Sequence, residues 1–118
     1  MNRQALIAYI SDTYGVQEEH LWARFPDFAV FRNPRNRKWF AILMNIDRQK
    51  LGLSGAGKTD VVNLKCDFLM MGSLLDADGY LPAYHMSKKN WLTAVLDAAP
   101  EDELLGLLDM SYKIIDAK

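Results

Sequence analysis

Residues Gly52 to Thr59 read Gly-Leu-Ser-Gly-Ala-Gly-Lys-Thr and satisfy the phosphate-loop pattern Gly-x-x-x-x-Gly-Lys-[Ser/Thr] to the letter. The residues after Thr59 decide between two kinds of fold. In a working phosphate loop the glycines come after a buried parallel strand and open directly into a helix. Its free amides, the lysine and the hydroxyl then converge on phosphate and magnesium. Here Thr59 runs on into Asp60-Val61-Val62-Asn63-Leu64-Lys65, whose valines and leucine read as a strand. A strand leaves no helix N-terminus to hold a phosphate, and 118 residues is short for a nucleotide-hydrolysing domain. Leu92 to Asp97 echoes the second acidic motif of such enzymes, but Thr93 interrupts its apolar run. The stretch therefore reads as a glycine-rich hairpin loop, with nucleotide binding through Lys58 and Thr59 as the alternative if residues 59–65 coil.

With 59–65 extended, the rest of the chain falls into order. Leu6, Ile7, Ile10 and Tyr14 recur at spacings of three and four, so Asn2 to Tyr14 is a helix, stopped by Gly15. Val16 to His20 is a polar connection. Leu21 to Phe25 reads as a short extended segment ended by Pro26-Asp27, and Phe28 to Phe31 as a second strand. Arg32-Asn33-Pro34-Arg35-Asn36-Arg37-Lys38 is a turn with four positive charges between strand-like neighbours, hence a hairpin tip. Trp39 to Ile46 is the strongest strand, Asp47 to Asp60 a polar loop, and Val61 to Lys65 the partner strand. Asp67 can cap a short helix from Phe68 to Leu74, closed by Ala77-Asp78-Gly79.

Tyr80 to Asp97 forms the next unit. Pro82 breaks any element before it, and Ser87-Lys88-Lys89-Asn90 is a polar turn in which Ser87 can cap a single helical turn. Trp91 to Leu96 alternates with apolar side chains on both faces, which places it inside a sheet. Pro100 and the acids Glu101, Asp102 and Glu103 open a final helix. Its buried stripe is Leu104, Leu107, Leu108, Ser111 and Ile115. The order is helix, four strands, short helix, strand, helix, with no linker or repeat. Short hairpins make the sheet antiparallel. The chain is one α+β domain, residues 1–118: a two-layer arrangement with a sheet of about five strands and the N- and C-terminal helices on one face.

Two runs, Tyr84-His85-Met86-Ser87-Lys88-Lys89-Asn90-Trp91 and Val62-Asn63-Leu64-Lys65-Cys66-Asp67, resemble the MmcQ/YjbR family of small bacterial proteins. The likeness covers nearly the whole chain. It implies a frataxin-like (CyaY-like) fold, and for some members a double-winged DNA-binding motif. It also implies that the glycine-rich region is a variable loop between two family strands.

Charge is nearly balanced overall, at −1, which argues against indiscriminate coating of nucleic acid. Its distribution is uneven. Phe31 to Lys65 holds eight basic residues against two acids, and Cys66 to Lys118 four against nine. This is either a set of solvated strands beside an acidic helix or a basic wing that meets phosphate or an acidic partner. Cys66 is the single cysteine and His20 and His85 the two histidines, so no disulfide and no metal-ligand spacing is visible. A Cys66–His85 nucleophilic pair lacks any local signature; His85 reads as a hydrogen-bonded anchor for its loop. No cofactor and no catalytic group are expected. No signal peptide or membrane span is apparent, so the cytoplasm is the default.

The basic turns carry the functional expectation. Arg32, Arg35, Arg37 and Lys38 at one tip, and Lys88 and Lys89 at another, would contact the phosphates of double-stranded DNA, with Lys50 and Lys58 adding contacts from the glycine-rich loop. The competing reading is charge that protects hairpin edges. A non-enzymatic protein- or small-ligand-binding adaptor, using an exposed sheet face or the acidic last helix, is the alternative from another class. A monomer or weak dimer is expected.

Overall fold

The computed structural model describes residues 1–118. Helix α1, Arg3–Tyr14, starts where the Asn2 side chain accepts the Ala5 N–H at 2.8 Å. It stops at Gly15, which takes a left-handed φ of 67°. Strands β1 (Ala29–Arg32) and β2 (Trp39–Asp47) form the first hairpin. A 3-10 turn over Arg48–Leu51 and a glycine loop lead into β3, Lys58–Lys65. Then come α2 (Phe68–Leu75), β4 (Tyr80–Pro82), β5 (Trp91–Val95) and α3 (Glu101–Asp116). The five strands make one antiparallel sheet in the order β1-β2-β3-β5-β4. Residues 58–65 are strand, so the glycines open into a ladder with β2, in which Thr59 faces Ile46.

Two helices cover one face of this sheet. Leu6 and Ile10 of α1 and Leu104, Leu108 and Ile115 of α3 pack on Phe31, Leu43, Val62, Leu64 and Leu92, which point inward from the strands. The alternation read for Trp91 to Leu96 is explained by position. Strand β5 lies between β3 and β4, with the helices over one face and the 83–90 loop over the other, so both of its faces are buried. Its inner residues Leu92 and Ala94 join the helical core. Trp91 and Val95 join a second cluster on the opposite face with Val30, Ile42, Met44 and Val61.

That second cluster overturns one expectation. Leu21 to Phe25 is not extended. The chain closes two turns there, with Phe25 N–H donating to the Trp22 carbonyl at 3.2 Å and Phe28 N–H to the Phe25 carbonyl at 3.0 Å. The aromatics Trp22, Phe25 and Phe28 are spaced by three; Trp22 and Phe28 rest on the sheet, and Phe25 stacks on Phe28 at the exposed rim. The outer sheet face is therefore not open: this loop and residues 83–90 cover it.

The fifth strand comes from the segment that Pro82 was expected to break. Tyr80, Leu81 and Pro82 pair with Ala94, Thr93 and Leu92 at the sheet's edge, where a residue lacking an N–H is tolerated. Two further details match the pattern. Asp67 caps α2, accepting the Leu69 N–H at 2.9 Å, and Trp91 N–H reaches the Ser87 carbonyl at 3.0 Å to close one helical turn.

Candidate functional site

Strand alternation puts Val61, Asn63 and Lys65 of β3 on the outer face, beside Trp91, Thr93 and Val95 of β5. At one end of that face the ladder brings four side chains side by side. Arg32 is paired with Trp39 and Lys65 with Trp91. The Arg32 guanidinium carbon lies 5.8 Å from the Trp39 ring centre, and the Lys65 ammonium 5.3 Å from that of Trp91. Such cation–π contacts hold the charges over the sheet. Arg37, Lys38, Lys118 and Ile115 complete an open groove of about 530 Å³, with five cationic side chains and no acid among those that line it.

The cations of this groove are not equivalent. Arg32 donates through Nε to Glu19 at 3.2 Å, and Arg37 reaches the same carboxylate at 3.4 Å, so one acid partly neutralises two arginines. Lys38, Lys65 and Lys118 make no ion pair. Burial, and then the charges of Lys118 and Lys38, hold the Lys65 ammonium below the ordinary lysine pKa. Burial is the main cause, and the two neighbouring ammonium groups add to it. Lys65 belongs to the basic middle of the chain but not to the contacts expected from its turns, although its parity with Val61 and Asn63 would have placed it. Lys118 gave no such signal.

The rest of the hairpin tip does not project. Asn33 is fully buried, accepts the Arg35 N–H at 2.9 Å and donates to Asp116 at 3.0 Å. Asn36 donates to the Ile115 carbonyl at 2.8 Å. The Arg35 guanidinium pairs with the Asp116 carboxylate at 3.4 Å and donates to the Asp116 and Lys118 carbonyls. The turn thus caps the C-terminus of α3, satisfying carbonyls that the helix leaves free. Arg35 faces the helix end and is not among the residues lining the groove.

The remaining candidates lie elsewhere. Lys58 begins β3 and Lys65 ends it, seven residues or about 23 Å apart along the strand. Lys50 and Lys58 line one cleft with Asn45 and Asp47, and Lys50 and Lys88 another with Leu81 and Pro82. The Lys88 ammonium is held at 3.1 Å by the Ala83 carbonyl. Lys89 is exposed and lines neither cleft. The two basic turns are separate patches.

Between them the outer face forms an aromatic cup of about 200 Å³, lined by ten residues of which eight are hydrophobic. Trp22 meets Trp39 edge to face at 5.9 Å and Phe28 at 6.0 Å, while Phe25 stacks on Phe28 at 4.8 Å. Asn63 and Thr93 fix the facing loop. Asn63 donates to the Tyr84 carbonyl at 2.8 Å, Thr93 donates to Asn63 at 2.5 Å, and Thr93 accepts the Tyr84 N–H at 2.9 Å. The anchor expected of His85 is therefore supplied by the Tyr84 backbone. The His85 ring stands exposed, edge-on to Tyr84 at 4.1 Å, on a backbone with φ 57°.

Chemistry of other kinds finds less support in the geometry. Cys66 is buried among inner-face residues and His85 sits over the outer face, so the sheet separates them. Burial pushes the Cys66 thiol up, away from the reactive thiolate. No three His, Cys, Asp or Glu side chains converge. Thr59 is buried in β3 beside Lys58, where no helix begins. No helix is long and apolar enough to cross a membrane.

Comparison with known proteins agrees with this architecture. Residues 11–114 match the YjbR family. The chain is 33% identical over 115 residues to the uncharacterized protein YyaQ of Bacillus subtilis (strain 168), covering 97% of this chain and 98% of that one. A crystal structure of a Pseudomonas syringae protein superposes with a TM-score of 0.95 at 40% identity, covering 98% of this chain and 99% of the other. A Deinococcus radiodurans protein shares the fold, with a TM-score of 0.74 at 22% identity over 98% of this chain and 78% of its own. A family match spanning most of the sequence, and a relative aligned almost end to end, place this five-stranded α+β domain in the YjbR family.

Proposed function

We propose that the domain binds the phosphate backbone of double-stranded DNA through the groove of Arg37, Lys38, Lys65 and Lys118, without catalysing a reaction. The observation that carries this reading is the convergence of Lys38, Lys65 and Lys118, none of them ion-paired, in a groove that no acidic side chain lines. Lys65 and Arg32 sit on strand ends over indole rings, so part of their ordering cost is met before a ligand arrives. The acids opening α3 lie at the opposite end of a 16-residue helix whose Ile115 lines the groove, about 20 Å away. That separation of charge orients an almost neutral protein toward a polyanion. Contacts to phosphate carry no sequence information, so the binding is shape- and charge-directed.

Anisotropy of a short labelled duplex, read across a salt series, tests this. Three phosphate contacts from the lysines without ion partners give a slope of log K against log salt of about −3. Lys38→Ala and Lys65→Ala should each reduce that slope by about 1, whereas Arg35→Ala leaves it unchanged. No binding at low salt, or undiminished binding by the Lys38→Ala/Lys65→Ala protein, overturns the proposal.

A protein-binding role is the second reading, and helix α2 favours it. Phe68 is 62% exposed and Leu69 86%, with Met70 and Leu75 beside them, an apolar surface without an intramolecular partner. A Phe68→Ser/Leu69→Ser protein that keeps DNA binding but loses a protein partner retained by the wild type would support this reading.

A further inference from the structure

The geometry points to a second site, beside the DNA groove and sharing the Trp39 wall with it: the outer-face cup is a receptor for a small aromatic anion of one or two fused rings. Its volume sets the size. A cavity of about 150 Å³ lined by aliphatic and aromatic side chains takes up benzene, and drug-sized ligands need upwards of about 300 Å³. At about 200 Å³ the cup lies between them. Its walls set the shape. Trp22, Phe28 and Trp39 present ring edges and faces to one another at near right angles, with Ile42 and Met44 below, so a flat apolar body meets π-surface and polarizable sulfur.

The charge of the ligand is set by the surroundings of the cup. Phe25, Phe28, Tyr84 and His85 line both the cup and the cleft that holds Lys50 and Lys58. Asp47 is the one acid lining that cleft, so its lysines outnumber it two to one. A ring seated on Met44 would therefore send a carboxylate or sulfonate toward two exposed lysines.

Two features suit a receptor better than a packed core. Phe25 remains 51% exposed at the rim, an apolar surface the fold alone does not cover. His85 is held in the left-handed region, which a side chain with a Cβ adopts only at a cost and which clusters where loops clamp ligands. The loop bearing it is pinned from below by Asn63 and Thr93, so the rim is set before a ligand arrives.

The test is a titration of the full chain with 2-naphthoate and its neutral counterpart 2-naphthylmethanol, followed by the methyl resonances of Ile42, Met44 and Met86. Saturable shifts confined to these methyls are expected, with the acid binding about fivefold or more tighter than the alcohol. That preference should vanish in Lys50→Ala/Lys58→Ala. Met86→Trp, on the exposed loop, should fill the cup and abolish the shifts while the melting temperature is retained. The absence of saturation, equal binding of acid and alcohol, or full binding by a folded Met86→Trp protein each overturns the site. A Lys38→Ala/Lys65→Ala protein should bind 2-naphthoate normally, so failure of the DNA groove and failure of the cup are read separately.

Discussion

Ser111 is the one polar residue on the buried stripe of α3, and its hydroxyl joins three elements. It donates to the Phe40 carbonyl at 2.6 Å and accepts the Lys65 N–H at 2.9 Å, where the β2–β3 ladder ends. Ser111→Ala strands both backbone groups in a buried place and should cost about 1–3 kcal/mol, measurable by urea unfolding. Gly79 is fixed for a different reason. Its φ is 95°, and a Cβ there would come within 2.7 Å of the Ala99 backbone, so Gly79→Ala should cost at least about 2 kcal/mol. Asp109 gives a pH dependence. A hydrogen bond from Lys113, helped by one from the Tyr14 hydroxyl, holds its carboxyl below the ordinary aspartate range. A depressed folded pKa stabilises the fold above the unfolded value of about 3.9 and is lost as pH falls through the folded one. Asp109→Asn should therefore flatten the loss of stability on acidification below about pH 4, seen as a shallower fall in melting temperature.

At the level of elements, the β1–β2 turn shows what a sequence conceals. Asn, Pro and like charges at 32–38 announce a turn, and the structure has one. That the turn caps α3 rests on contacts such as Asn33 to Asp116, 83 residues apart, for which no local pattern exists. The same holds for the charges: four cations in seven residues are visible, but only the fold lays Arg35 on the end of α3 and brings in Lys65. The 21–28 segment misleads for a local reason, because aromatic spacing of three passes for a strand of mixed alternation. Asn33→Ala removes a fully buried side chain bonded on both sides, and a loss of about 1–3 kcal/mol is expected. Amide exchange in the last turn of α3 should quicken with it. Arg35→Ala, with its guanidinium more than half exposed, should fray the same turn for about 1 kcal/mol or less.

For the molecule as a whole, the extended run from Lys58 to Lys65 settles the fold class, and the phosphate-loop pattern becomes the inside of a hairpin. Hydrophobic alternation and helical periodicity recovered the three helices and four of the five strands, because each of those elements is buried according to its own period. The fifth, Tyr80–Pro82, is not among the strands expected, and Leu21–Phe25 takes its place in the count. The covering of the outer face was not recoverable, since loops carry no period and Trp22 meets Trp39 across the sheet. The charge map divides in the same way: totals are read from the chain, but contiguity belongs to the folded surface.

The strand order carries one more consequence. The outermost strands, β1 and β4, have four and three residues; β1 is bridged by Glu19 along its free side, and β4 ends in a proline. Neither margin offers a run of bare amides and carbonyls long enough to recruit a neighbour's backbone. Self-association of this protein is then expected to proceed through side chains, with growth into ribbons by strand addition disfavoured.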